Sequence, residues 1–591
     1  MRITRLFLLL FFSALPLFAT TRYVATGAGT FSGGSACNGQ TAITRATWQS
    51  TSESPGDITY LCGTVTGTAG DTGLSINWSG SSGNPIQFIF DTGSSLQAPY
   101  WGATNSSGAL NLNGVSYVTI NGGTNGIIEN TANGSSTTYN QGSEGIHITG
   151  SSYITIENLS ILNLFVNSIT SLSAGGGIGI NLFNSVSNHI FIHDNILTWD
   201  LPAVQVVYPG SSTMSDIEIY NNTVTHSGTA VIVGEGNTSA VLNGLTIHDN
   251  SFAGGGDFWD TGDVIHLNHM HIYAVASGDT ITGVQIYNNY LYGDFGGDTK
   301  GAGHQTASIF LEAGPGTIPS PQVFNNVIAQ TTPGDYAADG LIYFKGITGS
   351  NIYNNTLIGS GAGTGISLNG GSTPVVVENN VIDNFDEWVY SDGTITTADH
   401  NDYYLGGRYF AYNSTNYNFA GWQGLGFDTN GSSGNPNLSG TYTLGSGSAA
   451  IGLGANLTSA GITALDSDKA AVARPSSGAW DAGAYQYGSS PTLTSITVAP
   501  SSASISTTGT QQFTATCLWS DSTTVCPTLT WASSLTGIAT ISSSGLATAV
   551  SAGSSTITAV NGGVTSNGAA LTVSAAVGGF SIMTGFSRTG W

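Results

Sequence analysis

Positive charge is what this 591-residue chain has least of: ten Lys and Arg stand against 34 Asp and Glu. Two of those cations, Arg2 and Arg5, precede an apolar run from Leu6 to Phe18, and between residues 46 and 468 only Lys300, Lys345 and Arg408 occur. Without Arg2 and Arg5, 8 basic side chains remain and the net charge is about −26 with His neutral. A surface of that sign repels phosphate backbones and anionic headgroups, which excludes nucleic acid as a partner. It also repels polyuronates unless Ca²⁺ bridges the carboxylates. Cysteine is scarce as well. Cys37 and Cys62 lie near the N-terminus, Cys517 and Cys526 near the C-terminus, and no CxxC spacing or Cys/His array points to zinc. The two local pairs predict disulfides Cys37–Cys62 and Cys517–Cys526, formed in an oxidising compartment. After Phe18 no apolar run approaches the roughly 20 residues of a membrane-spanning helix, so membrane insertion is not expected. The basic start, the apolar run and Ala19 as cleavage residue predict an export signal over residues 1–19, and hence a secreted or cell-surface protein.

What the chain has instead is glycine, with 83 residues, and enough apolar and aromatic side chains, 40% and 10%, to build a core. Gly, Asn and Thr between short apolar alternations indicate many short strands joined by tight turns. The strongest pattern is internal repetition. Ile-Thr-Ile-Glu-Asn (154–158), Ile-Phe-Ile-His-Asp-Asn (190–195), Ile-Glu-Ile-Tyr-Asn-Asn (217–222) and Leu-Thr-Ile-His-Asp-Asn (245–250) are variants of one strand. Val-Gln-Ile-Tyr-Asn-Asn (284–289) and three more follow, so that Asn158, Asn195, Asn222, Asn250, Asn289, Asn326, Asn355 and Asn380 recur 25 to 39 residues apart. That spacing predicts one solenoid coil per repeat, with the asparagines stacked in a column. A second strand recurs at 177–182, 203–208, 230–235, 263–268, 307–312, 340–345 and 365–370. Its second positions, Ile178, Val204, Val231, Val264, Ser308, Leu341 and Ile366, are expected to face the core.

These Asn-Asn coils resemble the right-handed parallel β-helix repeat of pectate-lyase-like secreted proteins. Arg22-Tyr-Val-Ala-Thr-Gly with Ser54-Pro-Gly-Asp-Ile-Thr-Tyr-Leu61 is similar to their first coil, and Arg474-Pro475 with Trp480-Asp-Ala-Gly-Ala-Tyr485 to their closing segment. The resemblance implies an all-β fold, a right-handed parallel β-helix over 22–487. It is loose for function, because this fold hosts lyases, hydrolases, epimerases and inert fibres. A linker at 488–491 leads to 491–574, whose short alternating strands resemble a bacterial Ig-like domain of the second group, a small β-sandwich. Asp521 is the only ionisable side chain there apart from cysteine, so this module is expected to be a spacer or adhesive element. Residues 575–591 form no module, as in a truncated piece of something longer.

One coil departs from the pattern, at Phe258-Trp-Asp-Thr-Gly-Asp-Val-Ile-His-Leu-Asn-His-Met-His-Ile-Tyr273. Stacking at about 4.8 Å turns register-equivalent residues into neighbours, giving an expected polar column of Glu235, Asn268, Glu312 and Lys345. Asp263, His266, Lys300, Glu312 and Lys345 are the candidate catalytic residues. Trp259, Glu235, Asn268, His269, His271 and His304 are the candidate substrate contacts, and Asp260 with Asp263 the candidate Ca²⁺ ligands. The plainer readings are a buried His266 and an ordinary Glu312–Lys345 ion pair. β-Elimination would use a Lys or His base with the uronate charge neutralised by a cation, and hydrolysis would use Glu235 and Glu312 as paired carboxylates. The expectation is therefore a secreted, monomeric protein acting on or binding polysaccharide or a cell-surface glycan, as a polysaccharide lyase or glycoside hydrolase. The alternative is a non-catalytic carbohydrate-binding or adhesin-like structural protein.

Overall fold

The computed structural model describes residues 19–132, 141–164, 176–235, 239–254, 267–293, 306–332, 336–405, 409–488, 492–519, 524 and 526–575. Residues 1–18 of the expected export signal, Trp259, Asp260, Asp263, Val264, His266, Lys300, His304 and the last sixteen residues lie outside them. The chain divides into two compact units, one ending at Tyr487 and one that takes in Gly488–Trp591.

The first unit is a right-handed parallel β-helix with three strands per coil. Sheet 1 stacks thirteen strands, among them Ser143–Thr149, Gly177–Phe183, Val204–Val207, Thr229–Glu235, Asn268–Ala274, Ala307–Ala313, Gly340–Lys345 and Thr364–Asn369. Sheet 2 carries the repeated strand, for example Asn188–His193, Thr213–Tyr220, Val241–His248 and Thr280–Tyr287. Sheet 3 carries short strands such as Ile196–Thr198, Thr223–Thr225 and Ser251–Ala253. Alternation sends every second side chain inward. In sheet 2, Ile156, Ile192, Ile219, Ile247, Ile286, Val323, Ile352 and Val377 sit one above another with no exposed surface.

The corner between sheets 2 and 3 explains the paired asparagines. The first of each pair turns the chain with a left-handed backbone, at φ 53° for Asn221, 55° for Asn288, 54° for Asn325 and 50° for Asn354. Asn tolerates that conformation better than other residues with a Cβ. The second points inward and is buried. Its Nδ2 donates to the Oδ1 of the next coil's asparagine at 2.9–3.1 Å, from Asn195 through Asn222, Asn250, Asn289, Asn326, Asn355, Asn380 and Asn401 to Asp428. Each of their backbone N–H groups donates to the same oxygen. Asn222, Asn250, Asn289 and Asn326 therefore form one line, as the spacing predicts. Asn158 does not belong to it. Its φ of 57° puts it in the turning column, and Leu159 N–H is what donates to Asn195.

The ladder ends on a carboxylate. Asp428 accepts Asn401 through one oxygen and Tyr403 Oη and Trp422 Nε1 through the other, at 2.9 and 2.8 Å. Burial pushes it up to about 6 in spite of those donors. Trp422 belongs to a short helix, Phe419–Gly424, which closes the C-terminal end of the core by stacking on Phe410 at 4.5 Å. Trp48 in the helix Arg45–Gln49 does the same at the other end, against Phe88 and Trp78. There Thr21–Ala25 lies parallel to Ile58–Leu61, and Cys37 is bonded to Cys62.

Beyond the last coil the chain runs back along the same corner. The turning asparagines dock it: Asn325 Nδ2 donates to Ser467 O at 2.8 Å and Arg474 Nη2 to Asn325 Oδ1 at 2.8 Å. Asn354 Nδ2 reaches Asp481 O and Gly483 O, and Asn379 Nδ2 reaches Ala455 O. Lys469 Nζ bonds to Asn288 O, and Leu465 and Trp480 pack on Phe324 and Tyr353.

The second unit is a small β-sandwich around Ile496, Val498, Phe513, Ile557, Leu571 and Val573, with Cys517 bonded to Cys526.

Two predictions follow from the corner. Asn289→Ala strands the donors of Asn250 and the carbonyls of Ile247 and Tyr287, and at about 1–3 kcal/mol for each buried unpaired group it should lower the urea midpoint of the solenoid well beyond any surface substitution. An unchanged midpoint would show that the ladder is decorative. The second concerns pH. Burial raises Asp383, Asp402 and Asp428 to about 6, so their contribution is complete below the ordinary Asp value and lost as pH rises through 6. Asp91, although burial raises it, is held down to about 2 by Ser35 and backbone N–H groups, so its contribution is lost only as pH falls towards 2. The melting temperature should peak at about pH 4–5 and decline towards pH 7.5, and a rise over that interval contradicts the assignment.

Candidate functional site

The pairing of sheet 1 corrects the register of the irregular coil. The strand there is Asn268–Ala274, not 263–268, because Asn268 pairs with Thr229 and Ala307. The inward column is Ile180, Val204, Val231, Met270, Ile309, Ile342 and Ile366. Ile178, Ser308 and Leu341 are buried outside that column. The expected polar column changes with it. Asn268 lies at the start of its strand, where its Oδ1 accepts Ala307 N–H at 3.0 Å. Glu235 is in register with Ala274 and Ala313, one position away from Glu312. The two carboxylates proposed for hydrolysis therefore do not share a column.

The column that does form reads Gly234, Tyr273, Glu312, Lys345, Asn369. A Cβ on Gly234, at φ +157°, would come within 2.6 Å of the Tyr273 ring, so glycine is what lets that ring lie across the preceding coil. Lys345 Nζ donates to Glu312 Oε1 at 2.7 Å, with the lysine side chain 48% and the glutamate 21% exposed. His271 Nε2 approaches Glu312 Oε2 at 3.4 Å. His271 occupies the register position expected for His266, stacked on Phe310 at 4.5 Å, with Phe310 on Tyr343 at 4.6 Å. These three rings lie outside the main core and are nonetheless buried. Sequence reasoning missed Tyr273 because the five-residue register error hid it. The signal available was the recurrence of an aromatic at 271, 310 and 343.

Charge in this cluster is fixed. The His271 imidazole first, and then the Lys345 ammonium, hold Glu312 down to about 2 against the upward pull of burial. Glu312 in turn raises Lys345. Glu312 is therefore an ionised acceptor and Lys345 a standing cation. His269 is different: burial pushes it to about 3, so it stays neutral beneath the surface with Nδ1 2.8 Å from Ser308 Oγ. His193 and His248, each the last strand residue of sheet 2 before the turning position, lie beside carboxylates. His248 lies between Asp249 at 2.7 Å and Glu218 at 3.0 Å, and His193 lies 2.7 Å from Asp194. Among the described residues no group of three His, Cys, Asp or Glu could hold a metal ion. Glu312 is already engaged by the Lys345 ammonium and the His271 imidazole, and the expected Ca²⁺ ligands Asp260 and Asp263 lie outside the described residues. A cavity of about 430 Å³ in the second unit is lined by Gln512, Thr514, Thr528 and Trp531 and by no ionisable group, so it performs no acid–base chemistry.

The first unit is thus a parallel β-helix with an acid–lysine column on one face. Residues 492–573 match the model of the bacterial Ig-like domain (group 2), and this segment is such a domain. Comparison with curated proteins gives no match. Among solved structures the chain is similar to pectate lyase Pel9A, at 13% identity over 79% of this chain and 96% of that one, with a TM-score of 0.35. It is also similar to the GH136 lacto-N-biosidase from Eubacterium ramulus, at 12% identity over 67% and 65% with a TM-score of 0.38. XylC in complex with xylose gives 10% identity over 79% and 98%, with a TM-score of 0.35. All three scores fall below 0.5, and the fold assignment rests on the strand pairing itself.

Removing Lys345 takes away one of the two partners that hold Glu312 ionised. In Lys345→Ala the Glu312 titration, followed by carboxyl ¹³C shift, should move up from about 2 towards the ordinary Glu range. No movement would mean that the pair is not formed in solution.

Proposed function

We propose that the protein works outside the cell on polysaccharide laid along the Tyr273–Glu312–Lys345–Asn369 column. The observation that carries this reading is the position of Lys345. Among the described residues between 46 and 468 it is the only Lys or Arg, and it stands half exposed in a column that also offers a ring, a carboxylate and an amide. A tyrosine ring supplies an apolar face for a sugar, and the carboxylate and amide supply partners for its hydroxyls. The two disulfides support an oxidising, extracellular setting.

β-Elimination from a uronosyl unit suits these residues better than hydrolysis. Hydrolysis calls for two carboxylates flanking the bond, and Glu235 is out of register with Glu312. Elimination calls for a cation that neutralises the substrate carboxylate while a base removes the α-proton. Lys345, kept protonated by Glu312, suits the first role, and His271 is the remaining proton acceptor of the cluster. A non-catalytic glycan-binding protein is the second reading. It is favoured by the mutual neutralisation of Glu312 and Lys345, which needs no reaction to account for it.

The test is a polysaccharide panel on the secreted protein, with Ca²⁺ and with chelator, followed by absorbance at 235 nm, by reducing ends and by affinity electrophoresis. Elimination predicts absorbance at 235 nm on a uronate polymer, falling by about 10²–10⁴-fold in Lys345→Ala with the fold intact. Retardation without product supports the binding reading. Full turnover in Lys345→Ala overturns the assignment of the column.

A further inference from the structure

The cavity of the second unit is built as a small cleft with an apolar floor and a polar rim. Phe513 has no exposed surface, and Leu529 and Trp531 lie half-buried beside it. Gln512, Thr528 and the Ser543–Ser544 turn are exposed around them. At about 430 Å³ the cavity falls within the range of roughly 300–1,000 Å³ that small-molecule sites occupy. Trp531 is aimed inward by the strand Thr530–Ser533, where it pairs with the buried Ala559. Gly545, at φ +81°, lets the serine turn lie against the indole: a Cβ there would come within 2.9 Å of the Trp531 ring and 2.4 Å of Phe513 O. Phe513 N–H donates to Gly545 O at 2.8 Å. Gln512 Nε2 donates to Phe513 O at 2.7 Å and to Ser544 O at 2.8 Å. Strand, turn and ring are thus fixed relative to one another.

Two polar atoms of the lining residues are left over. Both partners of Gln512 Nε2 are carbonyl oxygens, which fixes the orientation of the amide and leaves Oε1 as an acceptor without a partner among the described residues. Trp531 Nε1–H donates to none of them either, and its ring stacks on no other ring among them. The cleft therefore offers one donor, one acceptor and the rim hydroxyls beside an indole. No ionisable side chain lines it, and residues 491–574 contain only Asp521 apart from cysteine. A charged ligand would shed water here with no counter-charge to replace it. A sugar ring brings C–H groups for the indole and hydroxyls for the polar rim at the same time.

We infer that the Trp531 cleft is a binding site for a neutral glycosyl unit, so that the Ig-like domain is a glycan-binding module and not a spacer alone. The sugar packs a C–H face on the Trp531 ring, accepts a hydrogen bond from Nε1–H and donates one to Gln512 Oε1. The site goes beyond the reading of the Glu312 column. It lies in the other unit, shares no residue with that column and takes an uncharged ligand, whereas Lys345 suits a uronate. An inert Glu312 column would leave this cleft unchanged.

The test uses full-length secreted protein labelled with ¹⁵N in tryptophan, titrated with cellohexaose, mannohexaose, chitohexaose and hexagalacturonate. The Trp531 indole resonance is identified among the eleven tryptophans by its loss in Trp531→Phe. The expected result is a shift of that resonance with at least one neutral hexasaccharide and none with hexagalacturonate. Trp531→Phe should weaken the same neutral oligosaccharide by about tenfold in affinity electrophoresis, the worth of one good hydrogen bond. Thr528→Arg, at the exposed rim, should fill the cleft and abolish the shift with an unchanged melting temperature. Lys345→Ala should leave the shift intact, and its loss there would place the ligand on the Glu312 column and overturn the inference. So would a resonance unmoved by all three neutral probes, an equal shift with hexagalacturonate, or a full shift in Thr528→Arg. The wild-type titration decides the matter even if Trp531→Phe weakens the domain.

Discussion

The solenoid depends on a hydrogen bond that repeats. Every coil must turn a corner between sheets 2 and 3, and a corner buries backbone groups that no strand can satisfy. An inward asparagine solves this from both sides. Its Oδ1 accepts two donors from the coil before, and its Nδ2 gives one proton to a carbonyl and another to the next asparagine. Because all these donors point the same way, each amide polarises the next, and the direction of the row requires an acceptor at its end. Asp428 is that acceptor. A carboxylate is the side chain that best receives an end-on row of N–H groups, and the indole and phenol that meet its second oxygen belong to the structure that closes the core.

The same corner explains why the sequence was so legible in one place and opaque in another. A ladder position tolerates little besides asparagine, so the repeat survives loops that vary coil length from 21 to 39 residues. Reading Asn195 to Asn380 as a column required only counting. Asn158 failed because its coil has a single asparagine, and in that coil the turning position kept it. The strands of sheet 1 have no such marker. Their inward residues are aliphatic, and aliphatic positions every second residue fit several registers equally well. The placement of Asn268 beside Glu312 was wrong for that reason, and with it the pairing of Glu235 and Glu312. Glu312 and Lys345 survived because their strands, Ala307–Ala313 and Gly340–Lys345, carry a matching pattern.

Chemistry on this scaffold is a matter of which outward positions stack. Tyr273, Glu312, Lys345 and Asn369 become one strip only through register, and Asn181 joins Glu144 and His147 because register sets it in the neighbouring coil. Neither grouping can be read from spacing along the chain. In a protein with so few cations, the placement of the charge that remains says more than its amount.

A stack of coils is ordinarily a modular object: each layer touches only its neighbours, and lineages lengthen or shorten it by copying or losing a layer. The returning segment removes that freedom here. It fixes Lys469 to the coil of Asn288 and Ala455 to the coil of Asn379, with Asn325 and Asn354 held between, so its rungs match a set number of layers. A layer inserted or lost within that span would leave the segment out of step with every later contact. Changes in coil number are therefore confined to the stretch before Asn288, where the described corner carries no such strap, and that stretch includes the Glu144 cluster but not Lys345.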